Sequence, residues 1–495
     1  MRMVKSVLLG TAAGLIAVGG AQAADLPLKA KAVEYVRICS LYGAGFYYMP
    51  GTDTCIKLGG YVRADMILGG AGDYSFQQGT PAGANNRLTD YYHSRARMDF
   101  TVDTRTATEY GVVRTYADMV FTWDTPSVTG STPSAFGTGS ASLGLYHAFI
   151  QFAGFTFGRT VSLFDAPWQS YPAGGPDTLP GGSNHVNGVN QVAYTADFGQ
   201  GITGSIALQD ETSANGGQSN LWNTTFATPA AAGAAFVTGT YGANDWGGTR
   251  TPDIIGQVRV DQAWGLAQIS AVAHELHAAY YGATEPSGHP EDKWGWAVQG
   301  ALSIKNIPTG AGDSINLQAV YTDGATRYNF QSLFPQSFFM FGGSGTAYQS
   351  VGIAGLADGV FGVGTGIDTV KTWGMRGGYT HNWNPYWSTS IYGAYAQLKY
   401  GDAGKAMICG NFAAIALPGS TCNPDFNFAA IGGNVAWTPV KNLTFTGDLS
   451  YSHLDQKYSG TIASPGIAAA AKPAAVYELK DQNSVTMMLR AQRNF

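Results

Sequence analysis

Ile56-Lys57-Leu58-Gly59-Gly60-Tyr61-Val62-Arg63-Ala64-Asp65-Met66 sorts its side chains into two sets by position alone. Leu58, Val62, Ala64 and Met66 share one parity, and Lys57, Tyr61, Arg63 and Asp65 share the other. In an extended chain successive side chains point to opposite faces, so the stretch reads as a β-strand with one apolar and one charged face. The division recurs in His93–Phe100, where Arg95, Arg97 and Asp99 oppose Ala96, Met98 and Phe100. It recurs again from Arg114 to Met119 and from Gln257 to Asp261. A soluble sandwich would bury the apolar face, whereas a membrane barrel would turn it to lipid. Alternation does not separate these; the number of segments and the rhythm of their connections do.

Sixteen such segments are expected, at 56–68, 91–104, 110–123, 143–153, 154–160, 190–198, 201–210, 254–264, 266–276, 293–305, 314–323, 370–383, 386–400, 427–438, 442–457 and 482–495. Short turns (Ala153-Gly154, Gly199-Gln200, Gly265, Asn384-Pro385, Val440-Lys441) alternate with long Gly/Ser/Thr/Asn-rich loops near 69–90, 124–142, 161–189, 211–253, 277–292, 324–369, 401–426 and 458–481. Strands of ~9–11 residues suit a tilted crossing of a bilayer. Short turns on one side and long loops on the other are the pattern of an outer-membrane barrel, and an even strand count returns both ends to one side. Trp264, Trp294, Trp296, Trp373, Trp383, Tyr386, Trp387 and Trp437 gather near segment ends, as ring side chains do at headgroup level. The fold expected is all-β: a transmembrane antiparallel barrel occupying 56–495.

Composition agrees with that reading. Charged residues make up only 12%, about half the usual share of soluble domains, while aromatics reach 13% and glycines number 67. No clustered basic face suggests nucleic acid. At the start, Arg2 and Lys5 precede an apolar run from Val7 to Val18 and then Ala21-Gln22-Ala23, the layout of a signal peptide over residues 1–23. That run is shorter than the ~20 residues a spanning helix needs. Cys39, Cys55, Cys409 and Cys422 form an even set in an exported chain, for which three pairings are possible. Local bridges, Cys39–Cys55 in a 24–55 segment ahead of the barrel and Cys409–Cys422, are the simplest; free thiols are the alternative.

Three stretches resemble the general porin family of alphaproteobacteria. They are Ala24-Asp25-Leu26-Pro27 with Cys39-Ser40-Leu41-Tyr42-Gly43 and Pro50–Cys55 running into Lys57–Arg63; then His147–Arg159; then Val485–Phe495. The resemblance implies a sixteen-stranded homotrimeric channel, passive to small hydrophilic solutes and ions, embedded in outer-membrane lipid, lipopolysaccharide included. It implies a constriction loop at about 160–189, folded into the pore and carrying Asp165 and Asp177, with Pro167, Pro172, Pro176 and Pro180 stiffening it. It also implies that Phe495 is read by the barrel-assembly machinery. By parity Arg63, Arg95, Arg97, Arg114, Arg259, Arg376 and Arg490 face the lumen as a basic wall opposite the loop; the alternative is that they serve only as structural bridges to Asp65, Asp99, Asp118 and Asp261, and the resemblance adds Arg159 to the pore lining. Arg159 shares parity with Phe155 and Phe157, so placing it inward requires a bulge at Gly158.

No catalytic, cofactor or metal site is expected. Gly401–Lys405 is followed by Ala406, which breaks the phosphate-loop pattern, and His274-Glu275-Leu276-His277 spaces its histidines by three instead of four. The alternatives are a substrate-specific outer-membrane channel, which would line its lumen with aromatics, and a barrel enzyme, which would need a Ser/His pair at the lipid boundary.

Overall fold

A computed structural model describes residues 37–69, 84–125, 128–129, 132–133, 140–168, 173, 179–213, 219–238, 245–330 and 337–495. The proposed signal peptide and Asp177 lie outside these residues.

The apolar/polar alternation becomes sixteen antiparallel strands: β1 (Cys55–Gly69), β2 (Tyr92–Thr108), β3 (Gly111–Asp124), β4 (Ser140–Phe152), β5 (Phe155–Thr160), β6 (Val189–Asp197), β7 (Ile202–Asp210), β8 (Asp253–Gln262), β9 (Gly265–Leu276), β10 (Lys293–Lys305), β11 (Ser314–Asp323), β12 (Lys371–Asn384), β13 (Trp387–Lys399), β14 (Phe426–Val440), β15 (Leu443–Gln456) and β16 (Gln482–Asn494). Each pairs with its neighbours, and β1 closes on β16 in a register running from Tyr61↔Asn494 to Gly69↔Thr486. Closure leaves the barrel sheet no free edge.

Parity holds around the wall. Val62, Met66, Leu208, Val258, Ile269, Ile391, Ile431 and Leu449 are exposed outward, and Asp65, Gln268, Gln299, Arg376 and Asp448 are buried inward. The turn Ala153-Gly154 takes positive φ at both positions, matching a tight hairpin between β4 and β5. On β16, Met487 and Leu489 face outward while Arg490 turns in to Asp65. Arg493 shares the outward parity yet lies at the short-turn end, donating to the carbonyl of Lys441 in the turn between β14 and β15. An outward charge is tolerated there because it reaches the boundary and not the hydrocarbon.

Both ends of the barrel carry further structure. At the short-turn end, Cys39–Cys55 is a disulfide that ties the segment ahead of β1 to its first residue. Phe46 is buried beneath it, with the Arg105 guanidinium 4.9 Å from its ring centre. At the long-loop end, Phe338–Gly342, Gln349–Ala354, Gly460–Ser464 and Ala475–Leu479 form a four-stranded sheet. It is joined by α1 (Pro229–Thr238) and α2 (Asp402–Phe412), the latter stapled by the Cys409–Cys422 disulfide. Phe338, Phe339, Phe341, Ile353, Tyr458 and Tyr477 pack into one apolar cluster with the inward residues Leu398, Phe426, Phe428 and Leu454. The inner wall of β13–β15 is therefore apolar toward its outer end because loops cover it.

The candidate pore constriction

The connection from β5 to β6 folds into the barrel, and side chains of the opposite wall hold it there. Gln257 on β8, Gln299 on β10 and Gln268 on β9 donate to the carbonyls of Leu163, Phe164 and Asp165 at 2.6, 2.6 and 2.7 Å. These carbonyls lie in a turn inside the barrel, outside any strand ladder, so three inward glutamines supply the missing donors. Each such bond contributes about 1 kcal/mol net, and an unmet buried carbonyl costs more. Phe164, fully buried, packs edge-on to Tyr328 with ring centres 4.6 Å apart. Farther along, Arg376 on β12 donates to the carbonyls of Leu179 and Ser183 at 3.2 and 2.8 Å. Asn434 on β14 donates to the carbonyl of Ala173 at 2.9 Å, so contacts extend from β8 to β14. Gly181 allows this approach: φ is +93°, and a Cβ there would lie 2.5 Å from the carbonyl carbon of Met375.

A buried polar chain locks the same loop. Ser183 donates to Asp165 at 2.5 Å, and His185 contacts Asp165 through Nδ1 at 2.8 Å and Glu211 through Nε2 at 3.4 Å. The Tyr328 hydroxyl lies between Glu211 (2.8 Å) and Asp253, with one proton to give to either; His274 contacts Asp253 at 2.7 Å and Ser219 at 2.8 Å. Arg327 pairs with Glu211 at 3.1 Å. Burial alone would push His185 down, but the Asp165 and Glu211 carboxylates outweigh it and hold His185 up at about 9. Burial would likewise raise Glu211, yet Arg327 and His185 keep it well below the usual carboxylate range.

Across the lumen stand the charged residues of β1–β3 and β16. Arg490 grips Asp65 with both prongs at 2.7 and 3.1 Å, and Arg95 pairs with Asp124 at 2.7 Å. Arg105 and Arg114 share Asp103 at 3.1 and 3.0 Å. Arg63 and Arg97, directly opposite each other in the β1–β2 register, meet only neutral acceptors among the described residues: Gln492 at 2.9 Å and Thr122 at 3.0 Å. Arg259 pairs with its strand neighbour Asp261 at 3.0 Å.

Two residues expected at the water-filled opening lie elsewhere. Asp165 is 4% exposed and serves as an internal staple of the loop, its carboxylate enclosed by Ser183 and His185. Arg159 keeps outward parity, because β4 and β5 pair without a shift from Phe152↔Phe155 to Ala148↔Arg159. The register shift falls between β3 and β4, where Tyr146 is skipped; Gly158 takes a φ of +121° without shifting the register of β5. Arg159 binds the carbonyls of Leu145, Ser213 and Asn187 at 2.9, 2.7 and 2.8 Å, clamping loop ends together. Arg376 points inward as expected but is buried behind the constriction loop that it anchors. Sequence reasoning passed over His185 and the three glutamines. It read His274 only as half of a failed metal motif, although its inward parity was available.

A closed sixteen-stranded barrel, apolar outside, charged inside and narrowed by an infolded loop, defines an outer-membrane porin. The family model described as "Porin subfamily" matches residues 25–488, and the chain belongs to that family. It is similar to Porin Omp2b of Brucella suis, 29% identical over 349 residues covering 65% of this chain and 84% of the relative. Porin Omp2b of Brucella abortus (strain 2308) is 27% identical over 450 residues, covering 90% and 97%. Among solved structures, the outer membrane channel DcaP of Acinetobacter baumannii shares the fold, with a TM-score of 0.56, 14% identity and coverage of 90% and 99%. The protein is a diffusion channel of the outer membrane and not an enzyme.

Proposed function

We propose that the protein works as one of three identical pores, each admitting small hydrophilic solutes and ions between the constriction loop and the arginine-bearing wall of β1–β3 and β16. The infolded loop carries this reading. Its anchoring to β8–β14 leaves the β1–β3 side of the lumen as the route for water and solutes. Fixed charges around a narrow aqueous hole select ions by sign and orient dipolar solutes.

The outer surface supports a trimer through β1–β4. Near the long-loop end, this face shows Met66, Leu68, Tyr92, Trp123, Leu143 and Leu145, all exposed and apolar. A shallow groove of about 620 Å³ runs over Val62, Ala96, Met98, Phe121, Trp123 and Leu143. At the corresponding ends of β11–β15 the outward residues are Asp323, Lys371, Lys399, Asn427 and Asp455. One rim suits protein and the other suits lipid headgroups, those of lipopolysaccharide included. In the same reading residues 1–23 are removed on export, and Phe495 is the terminal aromatic read during barrel assembly.

Planar-bilayer recording of detergent-purified protein tests this. Discrete conductance steps closing in groups of three are the expected result. Absence of steps would overturn the channel reading, and single uncorrelated closures would overturn the trimer.

A further inference from the structure

Among the described residues, several carboxylates of the wall and of the constriction loop are already committed. On the wall, Asp65 is taken by Arg490, Asp124 by Arg95, and Asp103 by Arg105 and Arg114. In the loop, Asp165 is enclosed with His185 and shows its charge to no solute. Among the described residues, no carboxylate pairs with Arg63 or Arg97. Asp99, buried two positions along the same face of β2, lies within Coulombic reach of both but bonds to neither.

Arg63 and Arg97 stand opposite each other on adjacent strands, facing the lumen. Each spends its Nε on a neutral oxygen, Gln492 for Arg63 and Thr122 for Arg97, which fixes the plane of each guanidinium. The Tyr61 ring lies 4.5 Å from the Arg63 guanidinium and braces it from one side. The terminal nitrogens of both forks are left without a protein acceptor among the described residues. Two oriented forks of like charge on neighbouring strands repel each other, and an anion between them removes that repulsion. The planar fork suits the paired oxygens of a carboxylate or phosphate better than a spherical halide.

We infer that Arg63 and Arg97 form an oxyanion subsite beside the constriction, and that the pore favours small oxyanions (phosphate and carboxylates) over cations. The inference rests on the channel reading above and names the solute class of that same opening. Below the pair, Arg114 continues the track toward the short-turn end, with its guanidinium 5.1 Å from the Tyr116 ring and 5.4 Å from Phe149. An anion released by the pair meets that cation next, although Asp103 partly offsets it.

Single channels in a KCl gradient, with inorganic phosphate or malonate then added to one side, test the subsite. The native protein should show a reversal potential of anion preference, with current reduced by both additives. In R63Q/R97Q the chloride-to-potassium permeability ratio should fall about threefold, as expected for roughly one kT of local potential, and block by both additives should disappear. R63K/R97K should keep the reversal potential but lose most of the block, because a point charge lacks the fork. Block by phosphate alone would restrict the class to phosphates. A reversal potential unmoved in R63Q/R97Q, or block persisting there, overturns the inference while leaving the channel reading intact. Heat-modifiable gel mobility checks that each variant is folded, and R97Q alone is recorded in place of any double variant that does not assemble.

Discussion

His185 is fully buried between two carboxylates, and such a placement decides how the constriction loop responds to acid and base. Its protonated form satisfies Asp165 on one side and Glu211 on the other. Because its pKa is raised in the fold to about 9, the stabilisation is fully present below the ordinary histidine value and is lost as pH rises through about 9. Glu211, held low, would release its contribution only under strongly acidic conditions. The loop should therefore stay anchored across neutral pH and loosen above pH ~9, read as increased open-channel current noise in recordings from pH 6 to 10. Noise that stays flat over this range would show that His185 does not hold the loop. Asp165→Asn should produce the same noise at neutral pH, since breaking a buried charge pair costs about 3–5 kcal/mol. It should leave ion preference nearly unchanged, because that carboxylate faces no solute; a marked shift in reversal potential would return Asp165 to the opening. In the sequence Asp165 is legible as an acid in the constriction loop and no more. Whether an acid in a loop faces water or a histidine twenty positions on depends on how the loop folds back, and no local pattern records that.

At the scale of elements, the wall was far more legible than what fills it. Period-two alternation put Arg63, Asp65 and Arg490 on the inner face, because lipid on one side and polar lumen on the other enforce it at every position. β5 shows the limit: parity alone placed Arg159 outward, and the structure keeps it there, bound to three carbonyls near the loop ends. The outer loops obey no such rule. Phe338-Phe339-Met340-Phe341 lies in what reads as one long Gly/Ser-rich connection, yet it forms a strand packed on Phe428 and Tyr477. It pairs with Gln349–Ala354 just after it, and that strand pairs in turn with Ala475–Leu479, far along the chain and beyond the reach of local periodicity. The Cys409–Cys422 bridge staples this cap and not the barrel, with Phe412 of α2 stacked on Tyr458 at 5.4 Å. Replacing both cysteines by serine should therefore weaken the cap by about 3 kcal/mol, the scale for a short closed loop. Limited proteolysis should then cut within 401–426 while the barrel keeps its resistance to detergent at room temperature. Loss of the barrel itself would show that cap and wall fold as one unit.

For the whole molecule, the two outer rims make opposite demands. A charge added on a lipid-facing strand costs ~2–4 kcal/mol at the bilayer midplane but only ~0–1 near the boundary. Leu143, 67% exposed in the single chain, lies toward the long-loop end of β4, opposite Phe121. Were this rim covered by lipid, Leu143→Arg would be nearly silent, its guanidinium reaching the headgroups. Covered by a second copy, the same arginine would be buried without a partner, at a cost of several kcal/mol per contact repeated three times around the assembly. Asn427→Arg, on the polar rim where Asn427 bonds Asp455 at 2.8 Å, serves as the matched comparison. Native electrophoresis before and after heating separates the cases. Leu143→Arg should run as folded, heat-modifiable monomer while Asn427→Arg remains trimeric. A Leu143→Arg protein that stays trimeric would move the interface away from β1–β4. In the proposed trimer, pore wall and subunit contact would lie on opposite faces of the same strands, which calls for those strands to be regular. β1 and β2 pair without a register shift from Cys55↔Arg105 to Leu68↔Tyr92, with Arg63 and Arg97 on the inner face and Val62 and Met98 exposed on the outer one.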